Sequence, residues 1–159
     1  MILNQTRSSG VTIFGAIVTN SDRFYSLVCR EGNNGLTYLR FLKKLQSEMG
    51  EHRFSKAVLV MDKAPSHKLQ AVTTFLRESG ICVMRLPTAS SALNNIEVVW
   101  STLKHHWTRR LFLSSGYIKK EEVIPAINEV IEEHIQGNVE DIANGNQQVW
   151  LSVLNGHRV

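Results

Sequence analysis

Two acidic side chains, Asp62 and Glu97, stand at positions that suit phosphate chemistry. Hard divalent ions such as Mg²⁺ take a few carboxylate oxygens together with water and phosphate oxygens. Acids gathered from the ends of separate elements therefore make a natural phosphoryl-transfer site. Both positions also suit plain structural work. An acid just after a strand can start a turn or cap a helix, and an acid in a helix's first turn is favoured by the helix dipole alone.

The elements that must position these acids are legible around them. Asp62 follows Val58, Leu59, Val60 and Met61, four apolar residues that read as a buried strand, and Pro65 turns the chain soon afterwards. Ile96, Val99, Trp100, Leu103, Trp107 and Leu111 recur at helical spacing, which places Glu97 in that helix's first turn. Between the two acids, a helix near residues 66 to 79 closed by Gly80 leads to the strand ICVMRL. A strand, helix, strand succession of this length predicts parallel pairing through a right-handed crossover.

Upstream, VTIFGAIV and RFYSLVCR read as two arms of a hairpin across the turn TNSD. Leu36, Leu39, Leu42, Leu45 and Met49 then mark one face of a helix that Gly50 stops. Beyond Gly116 a helical run begins, with Pro125 as a bend or a second start, and continues into a broken helical tail that carries Trp150 and Leu151 as core or interface anchors. The expected layout is one α/β domain over residues 1 to 159, with a core from 11 to 112 and a helical tail from 117 to 155.

Composition sets outer limits. At 159 residues and 43% apolar, the chain has room for a sizeable core. A net charge of +4 and a pI near 9.3 permit an acidic partner such as nucleic acid without requiring one. Cys29 and Cys82 lie in apolar, strand-like runs and have no metal-ligand spacing, so both read as buried, reduced thiols. No apolar run approaches the roughly 20 residues of a membrane helix, and the polar start MILNQTRSSG has no signal-peptide core. The expected setting is soluble and intracellular.

The segments VLVMDKAPSHK and LPTASSALNNIEVVWSTLK together resemble the second and third acidic motifs of the mariner-like superfamily of cut-and-paste transposases, DDE-type endonucleases. Thirty-four residues, 63 to 96, separate the two acids, a spacing typical of that superfamily. Leu86, Pro87, Leu93, Asn94, Ile96, Trp100, Leu103 and Lys104 fall in register with the third motif. The resemblance is strong from residue 57 to 110 and looser over GVTIFGAIV and the helix from 36 to 49. It implies an RNase H-like fold, a mixed sheet flanked by helices, in which three acids gather around two Mg²⁺ or Mn²⁺ ions.

Carried across, the resemblance makes Asp62 the second metal-binding acid, Glu97 the third, and His67 the motif histidine near the scissile phosphate. The first acid has no counterpart: MILNQTRSS contains neither Asp nor Glu, and Asp22 falls in the hairpin turn, where it reads as a turn former. Two carboxylates hold a pair of divalent ions far less well than three. Lys63 replaces an Asn beside the second acid, and Thr88, Ser91 and Asn95 stand where the family often has prolines. The expectation is a degenerate, catalytically silent transposase-derived domain with a truncated or altered first strand. It would be retained for DNA binding or as a subunit of a larger assembly.

Lys104, His105, Arg109 and Arg110 around Trp107 would line the DNA backbone path, or else form a solvated helix face. A shortened strand from MILNQTRS, or a partner protein chain, would complete or cover the sheet. The alternatives are a catalytic fragment of an active transposase whose first acid lies further upstream, a scaffold subunit with no nucleic-acid role, and an unrelated α/β binding domain.

Overall fold

Asn34 opens the first helix. In the computed structural model, which describes residues 10–18, 21–62, 65–87 and 94–144, its side-chain oxygen accepts from the backbone N–H groups of Leu36 and Thr37, both at 3.0 Å. These are amide donors that the first turn of a helix cannot satisfy internally. Helix α1, Gly35–Met49, runs from this cap to Gly50, whose φ of 83° lets the chain leave the helix. Its buried face is Thr37, Tyr38, Phe41, Leu42 and Leu45. Leu36, expected on that face, is exposed because it sits in the capped first turn, one position outside the buried stripe.

The elements follow in the order β1 (Thr12–Ile17), β2 (Phe24–Cys29), α1, α2 (Glu51–Ser55), β3 (Val58–Met61), α3 (Gln70–Glu78), β4 (Cys82–Arg85), α4 (Ile96–Leu113), α5 (Val123–His134) and α6 (Val139–Asn144). Short 3-10 turns at Pro65–Lys68 and Lys120–Glu122 lead into α3 and α5. The helix expected from 66 to 79 is thus a 3-10 turn followed by α3. Among the described residues the strands form two two-stranded sheets, β1–β2 and β3–β4. The second is parallel, with Val58 opposite Cys82 and Met61 opposite Arg85, as the crossover length predicted. Short sheets flanked by helices, with a helical C-terminal part, are the α/β layout that the RNase H-like resemblance implied.

These residues form two units, each with its own core. One takes the described residues up to Phe14 and from Cys29 to Pro87. In it Phe14 stacks on Phe41 (5.8 Å between ring centroids) and tilts against Tyr38 (5.9 Å), while Phe54, Val72 and Leu76 close the far side of α3. The other takes Gly15–Val28 and the described residues from Asn94 onward. There Phe24, Val99, Leu103, Ile127, Val130 and Ile135 are buried among α4, α5 and β2. Pro125 lies in the first turn of α5, where a missing N–H costs nothing, so it starts the helix and does not bend it.

Two expectations about burial change. The strand β3 is not buried on both sides: Val58 and Val60 are exposed, and so are their partners Cys82 and Met84 on the same face. The covered face holds Met61, buried, with Leu59 and Val83 partly so. Cys82 is therefore an exposed thiol, whereas Cys29 is buried as expected; both are free. Lys63, Thr88, Ser91, Trp150, Leu151 and the segment MILNQTRS lie outside the described residues, so the expectations placed on them have no structural counterpart here.

Candidate functional site

Asp62 is the residue after β3, and its side chain is 65% exposed. The parallel ladder ends beside it, where Leu86 N–H donates to the Met61 carbonyl at 2.9 Å. His67, from the 3-10 turn that follows, folds back over it. Its Nδ1 lies 3.2 Å from the Asp62 backbone oxygen and 3.3 Å from Asp62 Oδ1. Both of those atoms are acceptors, so Nδ1 carries the proton and donates. The other side of the imidazole packs on Tyr38 of α1, with ring centroids 4.2 Å apart.

Burial pushes the His67 pKa down, against the opposing pull of the Asp62 backbone oxygen and carboxylate. The ring is therefore neutral at physiological pH, and its contact with Asp62 is a hydrogen bond between an N–H and an acceptor, not an ion pair. Burial also raises the Tyr38 hydroxyl pKa, helped by the Asp62 charge, so that phenol stays protonated. Tyr38 was not singled out in the sequence. Its position on α1 marks it only as a core residue, and its link to the Asp62 corner depends on tertiary packing.

Glu97 lies in the first turn of α4, exposed, with its backbone N–H donating to the Asn94 carbonyl at 2.9 Å. It belongs to the second unit, Asp62 to the first. Asp22, read from the sequence as a turn former, has its carboxylate engaged. Its Oδ1 accepts from Glu140 N–H at 3.0 Å at the start of α6, and its backbone oxygen accepts from Gly137 N–H at 3.0 Å. That makes it a long-range helix cap. Among the described residues no group of three or more His, Cys, Asp or Glu side chains is placed to hold a metal ion. Taken alone, the Asp62 corner and the first turn of α4 each present one family acid, and no step is routed through the Mg²⁺ or Mn²⁺ that the resemblance implies.

The basic residues of α4 separate into two groups. Lys104, His105 and Arg109 are exposed along one face. Arg110, half-buried, is ion-paired instead to Glu129 of α5. His106 turns away from the exposed face and stacks on His134, with His105 edge-on to it at 5.2 Å. Trp100 packs edge-on to Phe24, with ring centroids 5.7 Å apart, and takes no part in the exposed face.

A family model described as DDE superfamily endonuclease matches residues 2–119, which span both acids and all of α4. The chain belongs to that family. The DDE match extends beyond the two motifs to the early strands and α1, which the motifs alone covered only loosely. Comparison with curated proteins gives no match. Among the described residues of this DDE domain, no helix is long and apolar enough to cross a membrane.

Proposed function

We propose that this chain is a DNA-binding domain of DDE endonuclease descent whose 159 residues hold DNA but do not cut it by themselves. The observation that supports this most is the exposed cationic face of α4. Lys104, His105 and Arg109 recur on one side of the helix that Glu97 begins, while the opposite side is buried through Val99 and Leu103. Phosphate contacts supply most non-specific affinity for DNA, and Lys104 and Arg109 on the exposed side of one helix offer two cations to a phosphate backbone. The motifs of these 159 residues supply two of the family's acids, Asp62 and Glu97, and two carboxylates hold a pair of divalent ions less well than three.

Fluorescence anisotropy with a labelled duplex tests this. Affinity should fall as salt rises, with a slope of log K on log salt of about −2 to −3, matching the few phosphates such a face neutralises. The double variant Lys104→Glu, Arg109→Glu should abolish most of the binding. Salt-independent binding, or none, sinks the reading.

A second reading, a subunit covered by a partner protein, draws on a different observation: the exposed sheet face made by Val58, Val60 and Met84. Exposed apolar surface of this kind often marks an interface. Light scattering separates the two readings. A monomer that binds DNA supports the first, whereas a stable assembly dispersed by Val60→Glu, with no DNA binding, supports the second.

A further inference from the structure

The last turn of α4 and the turn that follows it expose two aromatic rings to solvent. Phe112 is 82% exposed and Tyr117 is 72% exposed, with Leu113 between them at 74%. Single apolar residues on a surface are ordinary, but two rings and a leucine within six residues form a patch. The patch is held by a well-bonded helix end. Ser114 N–H donates to Arg110 O at 3.0 Å, Gly116 N–H to Leu111 O at 2.8 Å and Tyr117 N–H to Ser114 O at 3.3 Å. Ser115 and Gly116 both take left-handed backbone angles, φ of 59° and 76°, which turn the chain back sharply. Tyr117 is thus anchored beside the helix end that carries Phe112.

Cations frame this patch. Arg109 precedes Phe112 by one turn and Lys119 follows Tyr117 by two residues, both exposed. Phe112 continues the exposed face of His105 and Arg109, because positions 105, 109 and 112 share one side of the helix, and Tyr117 follows four residues after the helix ends. That placement argues against a lipid surface, where an interfacial helix puts apolar and cationic residues on opposite sides. Rings alternating with cations match an unpaired nucleic-acid strand, whose bases offer π-faces and whose backbone offers phosphates. A duplex hides the base faces and presents the phosphates alone.

We propose that the C-terminal end of α4 receives unpaired bases of single-stranded or frayed DNA, with Phe112 and Tyr117 as stacking surfaces and Arg109 and Lys119 on the flanking phosphates. This deepens the DNA-binding reading above and rests on it. The rings are held by the backbone before any ligand arrives, so little ordering is needed on binding. The cationic face leads a strand along α4, and the aromatic end discriminates paired from unpaired.

The test compares an oligothymidylate with a blunt duplex of equal length, using the full chain. The double variant Phe112→Ala, Tyr117→Ala should lose about fivefold or more affinity for the single strand and leave duplex affinity within roughly twofold. Phe112→Tyr should retain single-strand binding, since a ring remains. Equal losses on both ligands, or none on either, overturn the proposal, as does a variant that abolishes self-association while single-strand affinity is unchanged. Lys104→Glu with Arg109→Glu keeps the two readings apart. If that pair weakens both ligands and the ring variant changes neither, only the stacking proposal fails. If it weakens neither, the DNA-binding reading fails with it.

Discussion

The imidazole of His106 lies flat against that of His134, with ring centroids 3.8 Å apart and planes 13° from parallel. The pair joins α4 to α5. Burial lowers the His106 pKa, and the neighbouring His134, His105 and Arg109 lower it further. The folded state therefore binds protons at His106 less readily than the unfolded chain, whose histidines titrate near 6.5. Stability from this contact is complete above that pH and is lost as pH falls through it and below. Thermal melts should show the midpoint dropping between pH 7.5 and 5, and His134→Gln should flatten that drop. A pH profile unchanged by the substitution removes the pair from the account.

Gly15 should not tolerate a side chain. A Cβ there would lie 2.5 Å from the Phe24 ring and 2.6 Å from Trp100, two aromatic groups locked edge to face. Gly15→Ala is expected to cost about 1–3 kcal/mol through overpacking, a midpoint lower by several degrees in a thermal melt. An unchanged melt would mean that the rings can part cheaply.

Asp22 holds the start of α6 from 118 residues away in sequence. Asp22→Ala should destabilise the protein by about 1 kcal/mol, measured by urea titration. Asp22→Asn, which keeps an acceptor oxygen, should recover most of it. If both substitutions are neutral, the cap is not a stabilising contact in solution.

At the Asp62 corner, His67→Phe should keep the packing on Tyr38 and lose the N–H donated to Asp62. The expected loss is about 1 kcal/mol for that hydrogen bond. His67→Ala removes both and should cost more. A Phe variant as unstable as the Ala variant would mean that the hydrogen bond, not the ring packing, holds this turn.

On catalysis, nicking assays with supercoiled plasmid should show no Mg²⁺-dependent cleavage by the 159-residue chain. Cleavage with Mn²⁺ that disappears in both Asp62→Ala and Glu97→Ala would refute this and restore the fragment of an active transposase as the better account.

How much of this was readable in advance depended on the reach of each interaction. The helix stop at Gly50, the parallel pairing of β3 with β4 and the placement of Glu97 in a first turn are local consequences of residue type and spacing, and the sequence displays them directly. Leu36 was misplaced because the leucine repeat runs on through the N-cap, and periodicity does not register a cap; Asn34 with Thr37 was the usable signal. Val58 and Val60 look buried by composition, but burial belongs to whatever covers the sheet, which a run of valines cannot specify. The His106–His134 stack and the Asp22 cap join residues far apart in the chain, and neither partner is unusual in its own segment. Arg110 illustrates the same limit: its pairing with Glu129 is fixed by how α5 lies on α4.

The contrast between the two thiols gives the experimenter a handle at no mutational cost. Cys29 is buried and its pKa is raised by that burial, which suppresses the reactive thiolate, while Cys82 sits in the open on the uncovered side of the parallel pair. A maleimide dye added to the native protein should attach at a single position, reporting directly on anything that settles over Val58, Val60 and Met84. The same position makes reducing buffer a necessity during purification, since an exposed cysteine couples molecules that have no other reason to meet.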